Sequence, residues 1–133
     1  MATTANLPLP SSGDDLREQA RAILPPGLFE KLESDSERLD FGLITRAYEF
    51  SGIAHAGQKR RSGDDYITHA VQVAEILADL RLDSLTIASA LIHDVVEDTS
   101  ATLEDVRDAF GEDVAKIVDG LTKIAKVQFR TNT

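Results

Sequence analysis

The 133-residue sequence contains no cysteine, which excludes a disulfide framework, a thiolate metal site and a cysteine nucleophile. No apolar run approaches the roughly 18 residues of a membrane-spanning helix. The opening MATTANLPLPSSGDD lacks the basic start and apolar stretch of a secretory signal, so a soluble cytoplasmic protein is expected, with no membrane partner. Positive charge is in deficit: 14 Lys and Arg face 23 Asp and Glu, for a net charge of -9. That balance argues against nucleic-acid binding through a broad basic surface. A small anionic ligand needs only a local basic patch, and QKRRSG supplies one with Lys59, Arg60 and Arg61 in succession. Strand-period alternation and internal repeats are also missing. What is present is helical spacing and enough apolar residues, 42%, to build one all-α domain without staples.

Residues 1–13, rich in Pro, Ser, Thr and Gly, read as a loose leader, and the domain is expected over 14–133. A short helix is predicted from Asp14 or Asp15 to Leu24, ended by Pro25 and Pro26. A second passes through Leu28 and Leu32. A longer one spans about Ser36 to Ala56, and GQKRRSGDD follows as a loop. The next helix covers about Tyr66 to Leu80, with Ile67, Ala70, Val71, Ala74, Leu77 and Ala78 in one stripe that Val73, Ile76 and Leu80 widen. Asp83 or Ser84 caps a helix reaching about Val96, apolar all round and therefore central. TLED, Thr102 to Asp105, resembles a capping box, and its helix stops at Gly111. A last helix is predicted from Glu112 to Ile124, followed by the polar ending KIAKVQFRTNT without helical character.

Chemistry concentrates in ALIHDVVEDTSATLED. An apolar helix avoids adjacent His93 and Asp94, with Glu97 and Asp98 one turn on, unless the cluster is wet or surrounds a cation. His69 shares a helical face with Val73, Ile76 and Leu80, and alone it reads as a core histidine with one hydrogen bond. The combination changes that reading. Two imidazoles on consecutive antiparallel helices, with a carboxylate beside one of them, suit a first-row divalent metal with open positions for water. Glu97 and Asp98 fall four residues after His93 and Asp94 on nearly the same face. They read either as carboxylates that orient the ligands and handle protons, or as a solvated acidic helix end. His55, in AHAGQ, reads as a structural residue of a helix end.

At these residues the sequence resembles a known family. AHAGQKRRSGDDYITHAVQVAEILADLRLD, TIASALIHDVVEDT and FGEDVAKIVDGLTKI are similar, in order and spacing, to the HD hydrolase domain of the RelA/SpoT alarmone enzymes. The resemblance covers about Ala47 to Lys126. It implies an all-α HD-domain helical bundle and a manganese-dependent hydrolase. Such an enzyme removes pyrophosphate from the 3′ position of ppGpp or pppGpp in the stringent response, leaving GDP or GTP. His69 matches the family's first metal histidine, His93 and Asp94 its HD pair, and Glu97 and Asp98 its catalytic Glu-Asp motif. Arg60, Arg61 and Ser62 match the loop that holds the guanine base, and Tyr66 matches that motif's tyrosine. The chemistry agrees, since guanidinium groups stack on purines or bind phosphate, and a serine hydroxyl bonds base edges.

Two departures stand out. Asp65 and Ala70 occupy positions where the family carries proline, which alters rigidity without removing a ligand. The family's fourth metal ligand is an aspartate on a later helix, and the sequence stops before that segment. The bundle is therefore expected to be C-terminally incomplete, an N-terminal fragment of a longer enzyme without its synthetase and regulatory domains. Two other functions stay open: an HD phosphohydrolase of another nucleotide, and a catalytically inactive nucleotide-binding or regulatory module. Association into a homo-oligomer is left open as well.

Overall fold

The computed structural model describes residues 13–56 and 66–131. Among them every regular element is helical, in the order α1 (Gly13–Ile23), α2 (Pro26–Glu33), α3 (Phe41–Ala54), α4 (Tyr66–Asp79), α5 (Ser84–Ile92), α6 (Val95–Asp98), α7 (Leu103–Phe110) and α8 (Glu112–Thr131). The expected all-α class holds.

Local chemistry sets most of the boundaries. Pro26 opens α2, where its missing N–H leaves nothing unpaired. The Asp83 side chain accepts from the Thr86 N–H to start α5. Thr102 and Asp105 form a reciprocal capping box at the start of α7. Gly111 ends α7 at φ 96°, in the left-handed region that favours glycine, and its N–H returns to the Arg107 carbonyl.

Three boundaries differ from the sequence reading. Helix α3 begins at Phe41 rather than near Ser36, because the Asp40 side chain caps it by accepting from the Leu43 N–H. Residues 35–38 form tight turns instead, with the Asp35, Ser36 and Arg38 N–H groups reaching back three residues. Helix α5 ends at Ile92 rather than Val96, and a separate single turn, α6, follows. Helix α8 runs on to Thr131, through the segment read as lacking a terminal helix.

The core forms around α5, whose residues from Ile87 to Ile92 are all buried. Helices α3, α4 and α8 pack on it, α7 pairs with α8, α1 lies on α3, and α2 lies on α4. Ile44, Ala47, Ala74, Ile87, Leu91, Ile92, Val114 and Val118 are shared among these contacts and are almost completely shielded from solvent. Phe50 and Phe110 meet edge to face at 5.3 Å, joining α3 to α7. At the surface, Lys31 pairs with Asp79 to tie α2 to α4, and the Ser84 hydroxyl accepts from the Asp40 N–H at 2.7 Å.

The apolar stripe of α4 is narrower than expected. Ala70 and Ala74 are buried, whereas Ile76 and Leu80 are 59% and 65% exposed. The face that carries His69 thus lies at the edge of the core. Replacing Leu91 by Ala should lower unfolding free energy by about 2–5 kcal/mol. Ile76→Ala should change it by under about 0.5 kcal/mol. Chemical denaturation of both variants checks the ranking.

Candidate metal centre

The end of α5 is built by competition for one backbone acceptor. In an unbroken helix the Ala90 carbonyl would receive the Asp94 N–H. Here His93 Nδ1 lies 2.6 Å from that oxygen, a side-chain bond of the kind that rivals helical pairing. Asp94 then turns the chain at φ -83°, ψ -11°, and its carbonyl accepts from the Asp98 N–H at 2.9 Å to form α6.

Asp94 occupies the N-cap position of α6, yet its side chain makes no capping bond there. An aspartate cap ordinarily stabilises a helix by about 0.5–2 kcal/mol. The carboxylate is directed to His93 instead, with Asp94 Oδ1 3.1 Å from His93 Nε2. The ring of His69, one helix away, has its centroid 6.4 Å from that of His93 at an interplanar angle of 54°. One ligand atom from each of His69, His93 and Asp94 can be chosen so that all three lie within 4.8 Å of one another.

The geometry fixes the chemistry of His93. A carbonyl oxygen only accepts, so Nδ1 carries the proton in that bond. Nε2 therefore offers either an N–H to Asp94 or a lone pair to a cation. The hydrogen bond to Asp94 is the main reason His93 holds its proton above the usual histidine range. Burial opposes it, and the Ala90 carbonyl, the Asp94 charge and the Glu97 charge reinforce it. Burial alone would push the Asp94 carboxyl up. The hydrogen bond from His93, with the charges of His93, His69 and His55, outweighs burial and leaves it below the usual carboxylate range.

Two imidazole nitrogens and one carboxylate oxygen, without sulfur, form a donor set suited to a first-row divalent ion. With metal–ligand bonds of about 2.0–2.2 Å, donors on one ion lie about 3–4 Å apart. The chosen atoms lie within 4.8 Å of one another, with His93 Nε2 and Asp94 Oδ1 at 3.1 Å, and all three side chains are half-buried rather than locked in the core. The residues fit such an ion, which would replace the proton between Nε2 and Oδ1.

Glu97 and Asp98 stand in α6, exposed and in the turn that follows Asp94. Glu97 is near enough for its charge to act on His93. Arg60, Arg61 and Ser62 fall outside the described residues, as does the side chain of Tyr66, whose backbone opens α4. Sequence reasoning missed two contributors. The Ala90 carbonyl could have been suspected from its position three residues before His93. His55 ends α3, as AHAGQ suggested, and it is also buried with its charge acting on Asp94, which the motif alone did not indicate.

The HD-domain profile matches residues 47–133. Guanosine-3′,5′-bis(diphosphate) 3′-pyrophosphohydrolase of Aquifex aeolicus is 49% identical over 88 residues, covering 66% of this chain and 13% of that protein. The GTP pyrophosphokinase rsh of Brucella ovis is 42% identical over 100 residues, 75% of this chain and 13% of that protein. The bifunctional (p)ppGpp synthase/hydrolase SpoT of Escherichia coli is 49% identical over 87 residues, 65% and 12% respectively. The chain thus spans about one-eighth of the length of these curated relatives.

The His93–Asp94 pair gives a pH signature without metal. A histidine whose folded pKa is raised adds stability that is complete below its unfolded value of about 6.5 and is lost as pH rises through the folded value. Wild type should therefore exceed His93→Gln in unfolding free energy by more at about pH 6 than at about pH 8. Urea titrations of the chelator-treated proteins measure the difference.

Proposed function

The chain belongs to the HD-domain family, and from that membership we propose metal-dependent hydrolysis of the alarmone (p)ppGpp at its 3′-pyrophosphate. The observation that carries this reading is the convergence of His69, His93 and Asp94 inside a segment 49% identical to enzymes named as (p)ppGpp hydrolases. We assign His69, His93 and Asp94 as the metal ligands and Mn2+ as the metal. When bound, the ion supplies Lewis-acid activation of a phosphoryl oxygen and of the attacking water.

The chain's residues divide the remaining work. His93, with Nδ1 held by the Ala90 carbonyl, presents Nε2 to the ion in a fixed orientation. Asp94 closes the same site from the next residue. Water adds to the phosphorus esterified to the 3′ oxygen, the bond between them breaks, and a proton ends on that oxygen. Glu97 takes the proton of the attacking water and Asp98 orients the reacting groups, both from the turn that follows the ligands. Arg60, Arg61 and Ser62 hold the guanine base by stacking and hydrogen bonding, and Tyr66 borders it. GDP or GTP and pyrophosphate are released. No helix among the described residues is long and apolar enough to cross a membrane, and the proposed guanine-nucleotide substrate supports assigning the activity to the cytoplasm.

His93→Ala in the natural protein should abolish Mn2+-dependent pyrophosphate release from ppGpp. Glu97→Gln should lower kcat by about 10²–10⁴-fold while Mn2+ still binds. Turnover retained in His93→Ala refutes the ligand assignment. A clear preference for dNTPs or cyclic nucleotides in a substrate panel moves the protein to another HD phosphohydrolase activity.

A further inference from the structure

Helix α6 is a single turn, four residues from Val95 to Asp98. One turn fixes several backbone angles for few hydrogen bonds, so it does not persist without help from its surroundings. The usual help at its start is missing, because the Asp94 side chain makes no capping bond and is turned to His93. Yet this turn carries Glu97 and Asp98, both exposed.

The support comes from the other end. The Thr99 N–H donates to the Val95 carbonyl at 3.0 Å, and the Thr99 hydroxyl donates to the same oxygen at 2.7 Å. That hydroxyl also accepts from the Ala101 N–H at 3.0 Å, so it is used as donor and acceptor at once. Both partners stand on firm ground: Val95 is fully buried, and Ala101 packs against the core. Closing a helix end on Val95 needs only a backbone N–H, which any residue but proline supplies. The side-chain bonds do more, since they join the turn to the segment that leads into α7, while the chain itself leaves α6 extended at φ -131°, ψ 179°. A β-branched side chain has few rotamers, which keeps the hydroxyl in place. Glu97 and Asp98 lie between the two ends of this bridge.

We propose that the Thr99 hydroxyl is a clamp that fixes where Glu97 and Asp98 stand relative to the metal ligands, which makes Thr99 a positioning residue of the hydrolytic site. This deepens the hydrolase reading above and rests on it. Thr99 acts through the α6 backbone, not by contact with ion or nucleotide.

The test compares wild type with Thr99→Val, which keeps the shape and loses the hydroxyl, and Thr99→Ser, which keeps the hydroxyl. In the natural full-length protein, Mn2+-dependent pyrophosphate release from ppGpp gives kcat and KM. Loss of the paramagnetic resonance signal of hydrated manganese gives Mn2+ affinity, and hydrogen exchange read by mass spectrometry over residues 95–101 follows the turn itself. Thr99→Val should lower kcat by about 10–100-fold, with KM and Mn2+ affinity within about threefold of wild type. Its exchange over residues 95–101 should be about tenfold faster. Thr99→Ser should stay within about threefold of wild type in every measurement, because both side-chain bonds can still form. If Thr99→Val does not fold, Thr99→Ala replaces it with the same expectations. Unchanged kcat in Thr99→Val, or in its replacement, overturns the proposal even if the melting temperature falls. Equal kcat loss in Thr99→Ser overturns it too, as does a loss of Mn2+ affinity large enough to account for the fall in kcat. No turnover by wild type defeats the hydrolase reading instead. The exchange comparison then decides the clamp alone: faster exchange without the hydroxyl supports it, and equal exchange overturns it.

Discussion

The 2.6 Å contact between His93 Nδ1 and the Ala90 carbonyl determines which imidazole nitrogen faces outward, and the rest of the site depends on that choice. With Nδ1 committed to a backbone acceptor, Nε2 is the only nitrogen free to meet Asp94 or a cation. The same contact engages the carbonyl that would continue α5, and the helix ends at Ile92. Asp94 keeps right-handed backbone angles in the turn between α5 and α6, and its carboxylate turns to His93 instead of capping α6. Local helix stability is exchanged for a fixed donor set.

That exchange is tolerated because the scaffold beneath is rigid. Helix α5 is buried through its last six residues and contacted by α3, α4 and α8. His69 reaches the site from α4, at the core's edge, where Ala70 and Ala74 pack inward. The ligands are therefore anchored by well-packed helices while their polar atoms remain half-buried. Such a position lets an ion or a proton exchange without opening the core. The hydrogen bond to Asp94 favours the protonated form of His93, so an ion binding at Nε2 competes with that proton.

Much of this was legible in the sequence, and the misses share a cause. The all-α class, the Asp83 and Thr102 caps and the stop at Gly111 rest on local chemistry, which a linear reading captures. The start of α3 depended on Asp40 prevailing over Ser36 as cap. The break at Ile92 depended on a side chain taking a backbone acceptor, which apolar periodicity does not reveal. Ile76 and Leu80 fit the α4 pattern but lie beyond the neighbours that α2 and α5 provide. At the site, the grouping of His69, His93 and Asp94 was foreseen from antiparallel helix order. His55 reads as a residue of a helix end, and it is the C-cap of α3; that its charge also bears on Asp94 depends on tertiary packing that a linear reading does not capture.

The account stands or falls on whether those three side chains share one ion. Crystals of the chain grown with MnCl2, with diffraction recorded on either side of the manganese absorption edge, would locate it directly. A single anomalous peak at bonding distance from His69 Nε2 or Nδ1, His93 Nε2 and an Asp94 carboxylate oxygen is the predicted result. Side chains of these residues well ordered and turned apart, with manganese bound elsewhere or nowhere, would contradict it.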